Sequence, residues 1–315
     1  MLKPLLASTA LVVALARAAC ECGYKTNTGE IWQYAVVTDF SQLGTTAWSG
    51  DADWEVTELV REATVDLEYT SDNVAVSDGK LQLTCSAYNA SQGGNIRSGQ
   101  IRTTRDDILR GSFRASYSVA SGSAGSVAGF FFYANDTQEI DIEIQSKMSN
   151  ETVHIGNQPT QSTDVLLPTN GAVTEVHDYR FDWLAGQTNF YLDSVPAGSF
   201  SEDVPVVNGR IDLNMWGNGG TFSGPATPTT DNVMSISKIA LYFNTSSPTN
   251  STKWAKICNK KPACVVDAKG LNTITAGAVT SDTSADSVAG AQGHRRTHKA
   301  LKIMAVGLAT VWYNI

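Results

Sequence analysis

The sequence predicts an all-β fold, a sandwich of two antiparallel sheets, from three observations. Between about Gly23 and Ser247 the dominant hydrophobic period is two, the signature of half-buried strands. Turn residues punctuate that pattern at short intervals, so the strands are many and short. Charged residues make up only 17% of the chain, and Gly, Ser and Thr are abundant, as in turn-rich β proteins.

The strands follow in order. After the turn pair Asp78-Gly79, Lys80 to Cys85 alternates polar and apolar, as does Ser112 to Val119 after Gly111. Val127 to Tyr133 is an apolar run, and Asn135-Asp136 turns it into Glu139 to Ile144. Arg180 to Trp183 and Asn189 to Asp193 read as a hairpin around Ala185-Gly186. Ile211 to Trp216 and Met234 to Phe243 complete the series. Helical spacing surfaces only near Asp53 to Ala63, where no helix is assigned. No internal repeat and no second domain are visible.

Both ends read as processing signals. Met1 to about Ala18 has Lys3, an apolar stretch from Leu5 to Ala16, and small residues for cleavage, so residues 1–18 are expected to be a signal peptide. Residues 267–299 are expected to be a disordered linker of Ser, Thr, Ala and Gly ending in the basic spacer His294 to Lys299. The apolar segment 300–315 completes the pattern of a glycolipid-anchor signal, and the folded domain is expected over 23–255. The expected location is therefore extracellular, at the cell surface or wall. Sequons at Asn89, Asn135, Asn150, Asn244 and Asn250 agree with a secretory route.

The five cysteines would then meet an oxidising compartment. Cys20 and Cys22 pairing with Cys258 and Cys264 would clip the domain ends together; a local Cys258–Cys264 bridge is the competing arrangement. Neither C-x-C nor C-x5-C has zinc-ligand spacing, and His294 and His298 belong to the basic spacer. A formal charge of −8 excludes nucleic acid as the expected partner.

Glu139-Ile140-Asp141-Ile142-Glu143-Ile144 carries the chemistry. As a strand it places three acids on one face and three isoleucines on the other; as a helix it would scatter Asp141 away from the glutamates. Adjacent like charges on one face repel, and no structural need explains them. A solubilising face and calcium ligation are the competing readings, but the all-isoleucine opposite face marks a central strand. Four residues apart, Glu139 and Glu143 have Cα atoms about 13 Å apart. Side chains leaning together reach roughly the 5–5.5 Å separation of retaining glycosidases. One glutamate would attack the anomeric carbon and the other protonate the leaving oxygen, with Asp141 hydrogen-bonding the nucleophile. No G-x-S-x-G elbow points to a serine hydrolase.

At these residues the chain resembles glycoside hydrolase family 16, the laminarinase and lichenase group. The E-I-D-I-E run is similar to that family's signature. The resemblance extends through Asp78-Gly79-Lys80-Leu81, Ser86 to Asn89, Arg97-Ser98, Gly111 to Arg114, Phe130 to Tyr133, His177 to Trp183 and Leu213 to Trp216, covering about residues 36–245 in order. It implies a concanavalin A-like β-jelly-roll with a concave substrate cleft. It also implies Glu139 as nucleophile, Glu143 as acid/base and Asp141 as supporting acid, with Arg97, Tyr133, Asn214 and Trp216 contacting sugar. Phe131 and Trp183, on apolar strands, are expected in the core. No cofactor is expected, although the resemblance admits a structural calcium on the outer sheet. The implied substrate is β-glucan, β-1,3 or mixed β-1,3/1,4, met by a monomer whose sole tie to a membrane is a lipid anchor. A wall transglycosylase passing glucan or chitin chains is the alternative within the same chemistry, and a non-catalytic lectin the alternative outside it. Thr137 stands where lichenase-like relatives carry Trp, and Asn95 where they often carry Glu, so linkage preference stays open.

Overall fold

The computed structural model describes residues 22–224 and 227–247, together with Cys20, Trp254, Lys256, Cys258, 261–267 and 274–275. The expected leader 1–18, the tail 300–315 and most of the linker lie outside the described residues.

Two nine-stranded sheets form the body. The first runs Gln161–Leu166, Thr152–Gln158, Gln138–Gln145, Val127–Asn135, Arg210–Trp216, Ile96–Thr103, Leu67–Tyr69 and Leu59–Arg61, with Trp54–Val56 also paired to Ile96–Thr103. The second runs Val195–Phe200, Gln187–Leu192, His177–Leu184, Ile108–Ser121, Asn232–Thr245, Lys80–Cys85, Val74–Ser77 and Thr46–Ala47, with Tyr34–Asp39 also on Asn232–Thr245. Neighbours far apart in sequence, such as Val127–Asn135 beside Arg210–Trp216, give the jelly-roll connectivity. The expected segments lie within these strands, except that Asp193 falls in the turn after Gln187–Leu192. One pairing departs from the antiparallel rule: Leu67–Tyr69 runs parallel to Ile96–Thr103.

The stretch 53–63 is two short strands, Trp54–Val56 and Leu59–Arg61. Its apparent helical spacing arises because Trp54 is buried, with its indole N–H donating to Thr38 Oγ1 at 2.9 Å, while Leu59 and Val60 lie exposed at the sheet edge.

The core fills the space between the sheets. Ile140, Ile142 and Ile144 turn inward from the carboxylate strand, joined by Phe130 and Phe132. Phe130 meets Phe181 at 5.2 Å between ring centroids, and Phe132 meets Trp183 at 4.4 Å, both across the two sheets. Burying each isoleucine contributes about 2 kcal/mol, which fixes the strand's register and forces its acids onto the opposite face. Trp183 is in the core, as expected, its indole N–H satisfied by Pro205 O. Phe131 is not: it is half-buried on the carboxylate face, paired with Asp141 and Asp212.

A small third sheet joins the two ends of the folded domain. Tyr24–Lys25 pairs antiparallel with Ile31–Trp32 and parallel with Cys264–Val266, which pairs in turn with Ile274–Thr275. Disulfides Cys20–Cys264 and Cys22–Cys258 clasp it, the end-to-end arrangement rather than the local bridge. Cys85 keeps a buried free thiol. Trp32 and Val266 pack on Ala240 and Tyr242 of the second sheet's outward face. Strand pairing thus continues beyond residue 255 and into the segment read as linker.

Candidate active site

Cross-strand register lays the site out in rows across one face, with neighbouring strands about 4.8 Å apart. Glu139 sits opposite Tyr133, which sits opposite Arg210. Asp141 leads through Phe131 and Asp212 to Arg102. Glu143 leads through Gly129 and Asn214 to Gln100, and Gln145 leads through Val127 to Trp216. On the other side of the carboxylate strand, Gln158 pairs with Glu139 and His154 with Glu143.

The three acids share one desolvated patch. Glu139 and Glu143 are half-buried and Asp141 is 3% exposed. Asp141 accepts a hydrogen bond from Gln158 Nε2 at 3.1 Å and is hydrogen-bonded to Glu139. Burial pushes the Asp141 carboxyl up to about 7, although both hydrogen bonds favour its charged form. Burial also holds Glu143 well above the usual carboxylate range, helped by the charge of Asp141. Glu139 is lifted by burial first, then by Asp141, Glu143 and more distant Asp212. Three carboxyls this close cannot all ionise at neutral pH, so the cluster retains protons there. One carboxylate able to attack beside another still able to donate a proton is what double displacement requires.

The sugar-contact candidates fare differently. Tyr133 lies directly beside Glu139, its ring 4.8 Å from the Arg210 guanidinium and its hydroxyl donating to Asp136 Oδ1 at 2.8 Å. Asn214 faces Glu143 across Gly129, where a side chain would not fit: a Cβ there would lie 2.6 Å from Asn214 Oδ1. Trp216 stacks on Phe222 at 6.4 Å with the rings 8° from parallel, and the edge of His154 meets the same phenyl ring. Arg97 is half-exposed and ion-paired with Asp72 at 2.5 Å; no described hydrogen bond joins it to the carboxylates.

Sequence reasoning missed Asp212, Gln100, His154 and Phe222. Alternation in Ile211 to Trp216 marks Asp212 for the same face as Asn214, and alternation in Thr152-Val153-His154-Ile155 does the same for His154. Phe222 lies in a loop without periodicity, where no such signal exists. Among the described residues no group of three or more His, Cys, Asp or Glu could hold a metal ion.

This jelly-roll, with paired glutamates flanking an aspartate on one sheet face, defines a carbohydrate-active class of protein. The model of glycosyl hydrolases family 16 matches residues 61–233, more than half of the chain, and the chain belongs to that family. A β-glucanase of Paenibacillus macerans is 31% identical over 153 residues, covering 46% of this chain and 62% of that protein. The chain thus spans about three fifths of that relative's length. A lichenase derived from a mouse hindgut metagenome shares the fold with a TM-score of 0.56 at 20% identity, covering 66% of this chain and 98% of that one. The Crh5 transglycosylase shares it with a TM-score of 0.51 at 18% identity, covering 68% and 85%.

Proposed function

We propose that the chain cleaves β-glucan as a retaining endo-glycosidase, with β-1,3 or mixed β-1,3/1,4 linkages as substrate. The observation that carries this reading is the desolvated Glu139–Asp141–Glu143 cluster on the face that also presents Tyr133, Asn214 and Trp216. Glu139, as carboxylate, attacks the anomeric carbon while Glu143 gives its proton to the departing oxygen. A covalent glycosyl-enzyme results. Glu143, now ionised, takes a proton from water as its oxygen attacks the same carbon, and Glu139 leaves. Asp141 keeps the nucleophile oriented through their shared hydrogen bond. Trp216 and Tyr133 offer flat faces to sugar C–H surfaces, and Asn214 offers a hydroxyl acceptor.

A second reading replaces water with another sugar, making the enzyme a transglycosylase of glucan or chitin chains. The short, exposed Asn135–Thr137 tip beside Tyr133 favours it, because little protein stands there to exclude an acceptor. Two disulfides clasping the ends of the folded domain support passage through an oxidising secretory route; anchoring at the cell surface is proposed from the C-terminal sequence pattern alone.

A panel of β-glucans, each with labelled oligosaccharide acceptors, tests both readings. Hydrolysis predicts new reducing ends in proportion to cleavage; labelled longer products in their place would select transfer. Glu139→Gln is expected to lower turnover at least about 10⁴-fold while still binding substrate. Unchanged turnover in that variant would remove the catalytic assignment.

A further inference from the structure

A chain of buried polar contacts runs beneath Tyr133 and Asn214, and the double displacement does not use it. At its centre is Asp212, 0% exposed. Its Oδ2 lies 2.9 Å from Arg210 Nε, an ion pair lacking hydrogen-bond alignment, and its Oδ1 accepts from Gln100 Nε2 at 2.9 Å. The Arg210 guanidinium then lies under the Tyr133 ring, beside Glu139. In the other direction the Gln100 amide group, committed to Asp212 and to Thr57 Oγ1 at 3.2 Å, turns its carbonyl toward Asn214. Asn214 Nδ2 donates to that carbonyl at 3.4 Å and to the Tyr69 hydroxyl at 3.2 Å.

The consequence is an enforced orientation. Burial pushes the Asp212 carboxyl up to about 6, so at neutral pH it is a carboxylate that accepts only, and Gln100 must present its NH₂ to Asp212 and its carbonyl to Asn214. Asn214 must then present its own NH₂ to Gln100, which leaves its Oδ1 on the side of the Gly129 gap. That oxygen is buried and without a partner, a condition that a sugar hydroxyl would relieve.

We propose that Asp212 is a positioning residue that sets the orientation of the Asn214 amide through Gln100, so that Asn214 Oδ1 accepts a hydroxyl of the sugar ring bound against Glu143. This rests on the glycosidase reading. Through Arg210 the same carboxylate steadies Tyr133 at the other glutamate. Asparagine at 212 would be nearly the same size but could turn either end toward Gln100, and the orientation would be lost.

The test is a double-mutant cycle between Asp212→Asn and Asn214→Ala, read as KM and kcat on a β-glucan oligosaccharide. Asp212→Asn is expected to raise KM about tenfold with kcat within about threefold, and the KM effect should fall below about twofold in the Asn214→Ala background. Equal effects in both backgrounds, or an unchanged KM, overturn the relay. A pH profile adds a readout that packing alone would not move. Arg210, Arg102 and Arg61 face Asp212, and Asp141, Glu143 and Asp212 act on Glu139. Removing the Asp212 charge should therefore shift the acid limb of kcat/KM to lower pH; a limb left in place counts against the proposal. If Asp212→Asn does not fold, Gln100→Met, which also breaks the relay, takes its place in the cycle with the same expected coupling. A substrate-free readout separates the relay from the functional reading: the Asn214 side-chain amide protons, followed by ¹⁵N NMR, should be two sharp signals in the native protein and exchange-broadened in Asp212→Asn. Sharp, unshifted signals in that variant overturn the relay even if no glucan is turned over, whereas a wild-type chain that neither cleaves nor transfers any β-glucan overturns the glycosidase reading instead.

Discussion

Burial lifts the Asp141 carboxyl from 3.8 to about 7 and raises Glu139 and Glu143 in the same direction. The folded chain therefore holds protons that the unfolded chain releases between about pH 4 and pH 7. Stability from these groups is fully present on the acid side and is lost as pH rises through that window. Thermal unfolding followed from about pH 4.5 to 7.5 is expected to show a falling midpoint. Glu143→Gln, which removes the cost of holding that carboxyl protonated well above its ordinary range, should gain about 1–2 kcal/mol at pH 7 and flatten that profile while losing activity. A destabilised Glu143→Gln with an undiminished pH slope would show that desolvation is not what strains the site.

The strand, as an element, decides which of these residues meet. In Gln138–Gln145 strict alternation made the acid face legible from sequence, because a one-residue slip would bury three carboxylates and expose three isoleucines. The partner strand Val127–Asn135 hid its faces. Its apolar run gives no alternation, and only pairing with the carboxylate strand shows that Phe131 faces the acids while Phe130 and Phe132 face the core. Period two places Asp212 and Asn214 on one face, but the resemblance marks only Asn214, and the surroundings of Asp212 come from Arg210 and Gln100, which only the fold brings to it. Arg97, like Tyr133, Asn214 and Trp216, is marked as a sugar contact by the resemblance alone, and its ion pair with Asp72 joins residues that nothing in the local sequence relates. Gly129 gives the element its most direct test. Ala at 129 would place a Cβ 2.6 Å from Asn214 Oδ1 and 3.3 Å from Phe131 Cδ1, so Asn214 must shift. Gly129→Ala should cost about 1–3 kcal/mol of stability and raise KM more than tenfold. Native-like KM in that variant would mean that the gap is not where sugar meets Asn214.

For the whole molecule, the two sheets place a rigid core under the carboxylates, and the two ends of the folded domain are joined by disulfides spanning 244 and 236 residues. The sequence showed that the outer cysteines suited an end-to-end clasp, but not that a four-stranded sheet would form there, because two-residue strands carry no readable period. Cys22→Ser, paired with Cys258→Ser to avoid a free thiol, should lower stability by about 2–5 kcal/mol and leave KM unchanged, since the clasp packs on the second sheet. A changed KM would show that the ends act on the site. The central claim, that Glu139 and Glu143 act as a retaining pair, is tested most directly by ¹H NMR of the first products from a β-glucan oligosaccharide. The account predicts that the β-anomer of the new reducing end appears first and mutarotates afterwards; initial release of the α-anomer would contradict it.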